Sequence, residues 1–267
     1  MMNDTCLLAD RYSEPLLQSL WDHLRKRQVL FQSPLLATCV AFCVHFLFCV
    51  PYLVLDLLGS RFQWIYNYRI GGRAYESCHI RRWLDCLGRI FFKYLTGILP
   101  SIALFQSLRE PSLPEKAPSC FIALTDIILC LLLFDTFFYM WHVLMHWVPW
   151  LFQQVHCTHH QNYETFALAA QDASIAELVS LQILALGSAA LVQCHPLSEA
   201  LFHLLNTYLA VEDHCGYDLP WGPIHLLPCF SGAQYHQAHH QRYKGNYAPY
   251  FRHWDWIFGT ELTQTAT

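Results

Sequence analysis

The feature that most constrains this chain is a series of apolar runs too long for a water-soluble core. Leu35–Leu58 reads LLATCVAFCVHFLFCVPYLVLDLL. A stretch of about 20 apolar residues is what a helix needs to cross the hydrocarbon of a bilayer. Ile90–Leu108 and Cys120–Met140 repeat the pattern. Lipid offers no hydrogen bonds, so the backbone of such segments must satisfy itself, which selects the helix. The chain is 54% hydrophobic and 13% charged, whereas soluble domains carry about a quarter charged residues. Intrinsic disorder is excluded by the same figures. A net charge of −4 leaves no basic footprint, so nucleic acid is not an expected partner.

Polar residues inside the runs are expected to turn away from lipid. His45, Pro51 and Asp56 interrupt the first run, and Asp126 and Asp135 the third. Lys93 lies near the start of the second, where its stem can snorkel. Two shorter runs, Leu178–Cys194 and Leu197–Leu209, are split by His195-Pro196 and read as a hairpin that dips into the membrane and returns. The organisation expected is a polar lead with a short amphipathic helix over 1–34, transmembrane helices over 35–140, and a histidine-rich catalytic domain over 141–267. The membrane hairpin lies near 178–209 in that last part. The twelve cysteines are scattered, several of them in apolar runs, and read as reduced thiols rather than a disulfide framework.

Orientation follows from basic residues. With a luminal N-terminus, nine Lys/Arg fall on the cytosolic side (Arg61, Arg69, Arg73, Arg81, Arg82, Arg89, Arg242, Lys244, Arg252) and six on the luminal side. The positive-inside rule favours that arrangement. The glycosylation sequon Asn3-Asp4-Thr5 agrees with it.

Between Lys116 and Arg242 there is no Lys or Arg, yet twelve of the sixteen histidines lie there. Three motifs stand out: His142-Val-Leu-Met-His146, His156-Cys-Thr-His159-His160 and His236-Gln-Ala-His239-His240. Residues spaced i, i+3 and i+4 share a helix face, so each motif is expected to aim its imidazoles at one point. His214 is a candidate ninth ligand, and His195 and His203 are ambiguous. His23, His45, His79, His225 and His253 read as ordinary surface or hydrogen-bonded residues. Eight or nine imidazoles exceed what one structural zinc takes, and imidazole also suits iron, copper and nickel. Spacing does not choose between iron and zinc.

HxxxH, HxxHH and HxxHH at the edges of apolar spans resemble the eight-histidine signature of the fatty acid hydroxylase/sterol desaturase superfamily. The surrounding His156–Asn162, Glu212–Tyr217 and Asn246–Phe251 are similar to its sterol-hydroxylase branch, as are Gln171, Glu177, Cys194–Leu197 and Trp254–Thr260. Leu20–Arg25 and Gln32–Pro34 extend the resemblance over nearly the whole chain. It implies an all-α, polytopic helical membrane protein with a histidine-rich diiron domain on the cytosolic face of the endoplasmic reticulum. It implies two iron ions, dioxygen and a sterol substrate, with cholesterol to 25-hydroxycholesterol as the expected conversion. The signature ligands carry over as His142, His146, His156, His159, His160, His236, His239 and His240, with His214 as a further one. Met145 and Tyr235 stand where relatives tend to carry His, and Gln237 where an acidic residue is usual. No flavin or nicotinamide fingerprint is present, so electrons are expected from an external chain of cytochrome b5 or NADPH reductase type. Glu177, Glu212, Asp213 and Asp255 are candidates to orient the histidines, and Trp141, Trp147, Trp150, Phe152 and Phe166 to line the site or form an interfacial belt. A C4-methylsterol oxidase, a sterol desaturase, a metal-dependent hydrolase and a His-rich metal transporter are the alternatives.

Overall fold

The structure, a computed structural model, describes residues 16–59, 61–71, 79–109, 113–222, 225 and 229–262. Asn3 and its sequon lie outside the described residues. Among the described residues every element is helical, and the only strand-like pairings are two isolated bridges, Arg69 with Tyr217 and Phe230 with Phe251.

A short helix, α1 (Gln18–Arg25), precedes α2 (Pro34–Gly59). The second membrane segment is longer than its apolar run: α3 (His79–Lys93) passes through a π-helical turn, Tyr94–Ile98, into α4 (Leu99–Leu108). Pro100 explains the wide turn, because it lacks the N–H that an α-helix would donate to the carbonyl four residues back. The third, α5, spans Cys120–Trp147, and Ser119 caps it by accepting from the Ile122 N–H. It continues two turns past Met140, so His142 and His146 lie inside the helix rather than after it. At 1.5 Å per residue its 28 residues reach about 42 Å. Among the described residues, four segments are long and apolar enough to cross a membrane: Pro34–Gly59, Ile80–Leu108, Cys120–Trp147 and Ile175–Val192.

The hairpin consists of α6 (Ile175–Val192) and α7 (Pro196–Asp213), both packed along α5. Ser174 caps α6, and His195 caps α7 through the Leu197 N–H. The left-handed backbone of Gln193 (φ 55°) turns the chain between them. That turn reaches the end of the bundle opposite the histidine motifs. There Leu197 packs with Trp21 and Ala117, Arg109 pairs with Glu199, and His195 Nε2 donates to the Lys116 carbonyl. The hairpin therefore runs the depth of the bundle, and His195 sits on the N-terminal side, not with the other motifs. After α7 come α8 (Gly232–Arg242) and α9 (His253–Phe258).

Buried carboxylates tie the irregular segments to the spans. Asp56 at the foot of α2 accepts from Arg69, the Trp83 indole and the Tyr217 hydroxyl, fixing the chain that follows His214. Asp135 of α5 accepts the Tyr250 and Phe251 N–H groups. Asp172 accepts from Arg89, Lys93 and Asn162. Such groups are tolerated inside only because they are paired.

Candidate metal centre

All three motifs and His214 meet at one end of the bundle, in two groups. One holds His142, His146, His156, His160 and His239; the other holds His159, His214, His236 and His240. Within each group the donor nitrogens lie within 4.8 Å of one another. All nine rings are buried except the half-buried His146.

The grouping differs from the expectation that each motif serves one point. His156 and His160, spaced i and i+4, share the first group, while His159 turns to the second. His236 and His240 likewise share the second group, and His239 joins the first. Neighbouring helical residues point about 100° apart, so each HxxHH motif straddles two sites. The geometry is a pair of adjacent donor groups joined by the two HxxHH motifs.

Ring orientation is set from outside. His142 Nδ1–H donates to the Tyr247 carbonyl (2.7 Å), His239 to Gly245 (2.8 Å) and His214 to Ala210 (2.8 Å). His156 Nδ1–H donates to the Glu177 carboxylate (2.9 Å). Each such ring spends its proton outward and presents a bare Nε2 lone pair inward. His142 Nε2 and His156 Nε2 then face each other at 3.0 Å. Two lone pairs at that distance repel unless a cation lies between them. The donor set therefore fits a metal.

Across both groups the closest Nε2 pairs are 3.0–3.2 Å apart. Adjacent ligands at bond lengths of about 2.1 Å are separated by about 3.0 Å in an octahedral set and about 3.4 Å in a tetrahedral one. The spacing, and five donors in one group, match the octahedral set.

The site is primed for cations by its charge state. Burial, with the crowding of other imidazoles, pushes His156, His159, His160, His236 and His240 well below the ordinary histidine range. Burial also brings His239 down to about 3 and His214 to about 4. At neutral pH the rings are uncharged donors, and an incoming ion displaces no proton from them.

Of the expected orienting carboxylates, Glu177 meets one of the nine histidines, His156, directly. Asp255 acts one step back: it accepts the Tyr247 and Ala248 N–H groups, the Thr260 hydroxyl and the Tyr235 hydroxyl. It thereby holds the loop whose carbonyls orient His142 and His239. Glu212 and Asp213 are buried but hydrogen-bond to none of the nine rings. His195 and His203 join neither group. Of the expected aromatic liners only Phe152 touches the rings, at 5.3 Å from His146 and 5.8 Å from His160. Tyr243 and Tyr247, not anticipated, also pack on them. Trp141 donates to Ser180, Phe166 packs on Trp83, and Trp147 and Trp150 are exposed. Met145 is fully buried, and Gln237 accepts from the Thr165 hydroxyl at 3.2 Å. The backbone acceptors at Tyr247, Gly245 and Ala210 carry no side-chain signal that sequence reasoning could have found.

Fold and site together define a helical membrane protein with a buried histidine cluster in two groups that could each hold a metal ion. A fatty acid hydroxylase family model matches residues 127–260, and the chain belongs to that family. It is 41% identical over 253 residues to the cholesterol 25-hydroxylase of Homo sapiens, covering 94% of this chain and 92% of that one. It is 39% identical over 246 residues to a cholesterol 25-hydroxylase-like protein of Danio rerio, covering 91% and 97%. Methylsterol monooxygenase erg25B of Aspergillus fumigatus is 32% identical over 231 residues, covering 84% and 76%. No solved structure matches the chain.

Proposed function

We propose that this chain is a membrane-bound sterol hydroxylase that converts cholesterol to 25-hydroxycholesterol with dioxygen and two iron ions. The observation that carries the reading is the convergence of nine neutral imidazoles into two adjacent donor groups. It occurs in a chain similar over nearly its full length to sterol monooxygenases. His142, His146, His156, His160 and His239 would hold one ion, and His159, His214, His236 and His240 the other. Bound iron supplies the activation of dioxygen and the attack on an unactivated C–H bond.

The rest falls to the chain. The Tyr247, Gly245 and Ala210 carbonyls and Glu177 keep protons on the outward nitrogens and lone pairs on the inward ones. Burial keeps water from the donor nitrogens, which protects a reactive centre. Apolar side chains of α5 beside the motifs, Met140 and Leu144, are exposed and suit a sterol arriving through the bilayer. We place the protein in the endoplasmic reticulum membrane, with the histidine end cytosolic and the α1 end luminal. The count of basic residues supports this orientation. Electrons then come from a cytosol-facing donor of cytochrome b5 or NADPH reductase type.

Sterol mass spectrometry on cells fed labelled cholesterol tests the reading. The chain should yield labelled 25-hydroxycholesterol, and a His159→Gln/His160→Gln variant none at equal protein level. A product oxidised at a ring methyl would assign the chain to the methylsterol monooxygenase chemistry of its other relatives.

A further inference from the structure

Beyond the four membrane-length helices, the six-residue α9 carries an apolar surface that none of the described residues covers. Trp256 is 74% exposed, Ile257 54% and Phe258 61%. The only charged side chain of the helix, Asp255, is turned inward and 0% exposed. Three consecutive large apolar side chains cost too much free energy in water to be left there without a partner.

The position of α9 identifies the partner. Phe258 and Trp254 stack on Tyr139 of α5 at 5.6 and 6.2 Å. Tyr139 lies eight residues before the end of α5, about 12 Å along the membrane-spanning helix. Beside it, Met140, Leu144 and Trp147 of α5 are exposed at i, i+4 and i+7, one lipid-facing stripe. Through Tyr139, α9 meets α5 one residue before Met140, the first member of that stripe.

We propose that α9 is inserted into the acyl region of the bilayer against α5, and that this insertion sets the metal centre. The link is Asp255. The same helix that presents Trp256 and Phe258 outward holds the Tyr247 and Ala248 N–H groups inward. The Tyr247 carbonyl orients His142, and the neighbouring Gly245 carbonyl orients His239. Moving α9 out of the membrane would loosen both. This second half rests on the proposed metal role of the histidines; the insertion itself does not.

The test uses the full chain in phosphatidylcholine nanodiscs with p-benzoylphenylalanine at position 256, and at exposed Lys244 as a control. Ultraviolet irradiation should attach phospholipid at position 256, several-fold above position 244. Alkaline hydrolysis should leave the adduct on a fatty acid rather than on the headgroup. No adduct above control, an adduct on headgroup atoms, or one on another protein would overturn the insertion. For the link, a Trp256→Glu/Ile257→Glu variant, which spares the Phe258 stack on Tyr139, should lose bound metal to a chelator several-fold faster than the parent in nanodiscs, while the phospholipid adduct at an exposed α5 position such as Leu144 persists. Unchanged metal loss with lost insertion would overturn the coupling. Absence of metal in the parent chain would instead count against the metal reading alone.

Discussion

Among the described residues, Glu177 is the one side-chain acceptor that reaches a histidine of either group, and it does so from the first turn of α6. Replacing it with Gln keeps the shape but leaves a weaker acceptor for the His156 N–H and adds an amide N–H that finds no acceptor on that ring. Outer partners of this kind are worth about 10- to 100-fold in metal affinity. Chelator competition on purified Glu177→Gln should show a loss in that range; a parent-like affinity would mean that packing alone orients His156. The motifs exposed which residues would gather, because three clusters of imidazoles at helical spacing have little other use. They did not expose how His159 and His160 divide, since a shared-face rule groups a motif and overlooks the 100° between neighbours. Nor could spacing reveal Tyr247, Gly245 or Ala210, which act through the backbone whatever their side chains.

At the scale of elements, hydropathy ended the third span at Met140 because His142 and His146 read as polar. The helix continues, since those rings pack against other imidazoles. The hairpin shows the reverse limit: its apolar runs were legible, but the depth of its turn depended on Leu197 meeting Trp21. Asp255 organises the loop between α8 and α9 by four hydrogen bonds. Asp255→Ala strands two buried N–H groups and should cost about 3 kcal/mol, readable as a lowered Tm in detergent. Asp172 joins α3 to the chain after the second motif. Burial alone would raise its pKa, yet hydrogen bonds from Arg89 and Lys93 and their charges hold it down to about 2 from an ordinary 3.8. A depressed carboxylate stabilises the fold above its unfolded pKa and loses that contribution as pH falls through the folded one. The loss should total about 2 kcal/mol between pH 4 and pH 2. Thermal unfolding over that window should show a shallower fall for Asp172→Asn than for the parent; parallel curves would discount the pair.

For the whole molecule, the described contacts separate two ends. Trp21, Ala117 and Leu197 gather at one, and the nine imidazoles gather at the other. A glycosylation sequon with a spacer, inserted after Glu115, should be modified in the orientation proposed, and the same tag at the C-terminus should not. The reverse pattern would invert the topology without touching the site. The proposed chemistry requires that the two histidine groups each hold an ion. The most direct test counts iron in the purified chain and in a His240→Gln variant. Two ions per chain are expected in the parent and about one in the variant, because the five-ring group keeps its own donors. A single ion in the parent, or two in the variant, would contradict it.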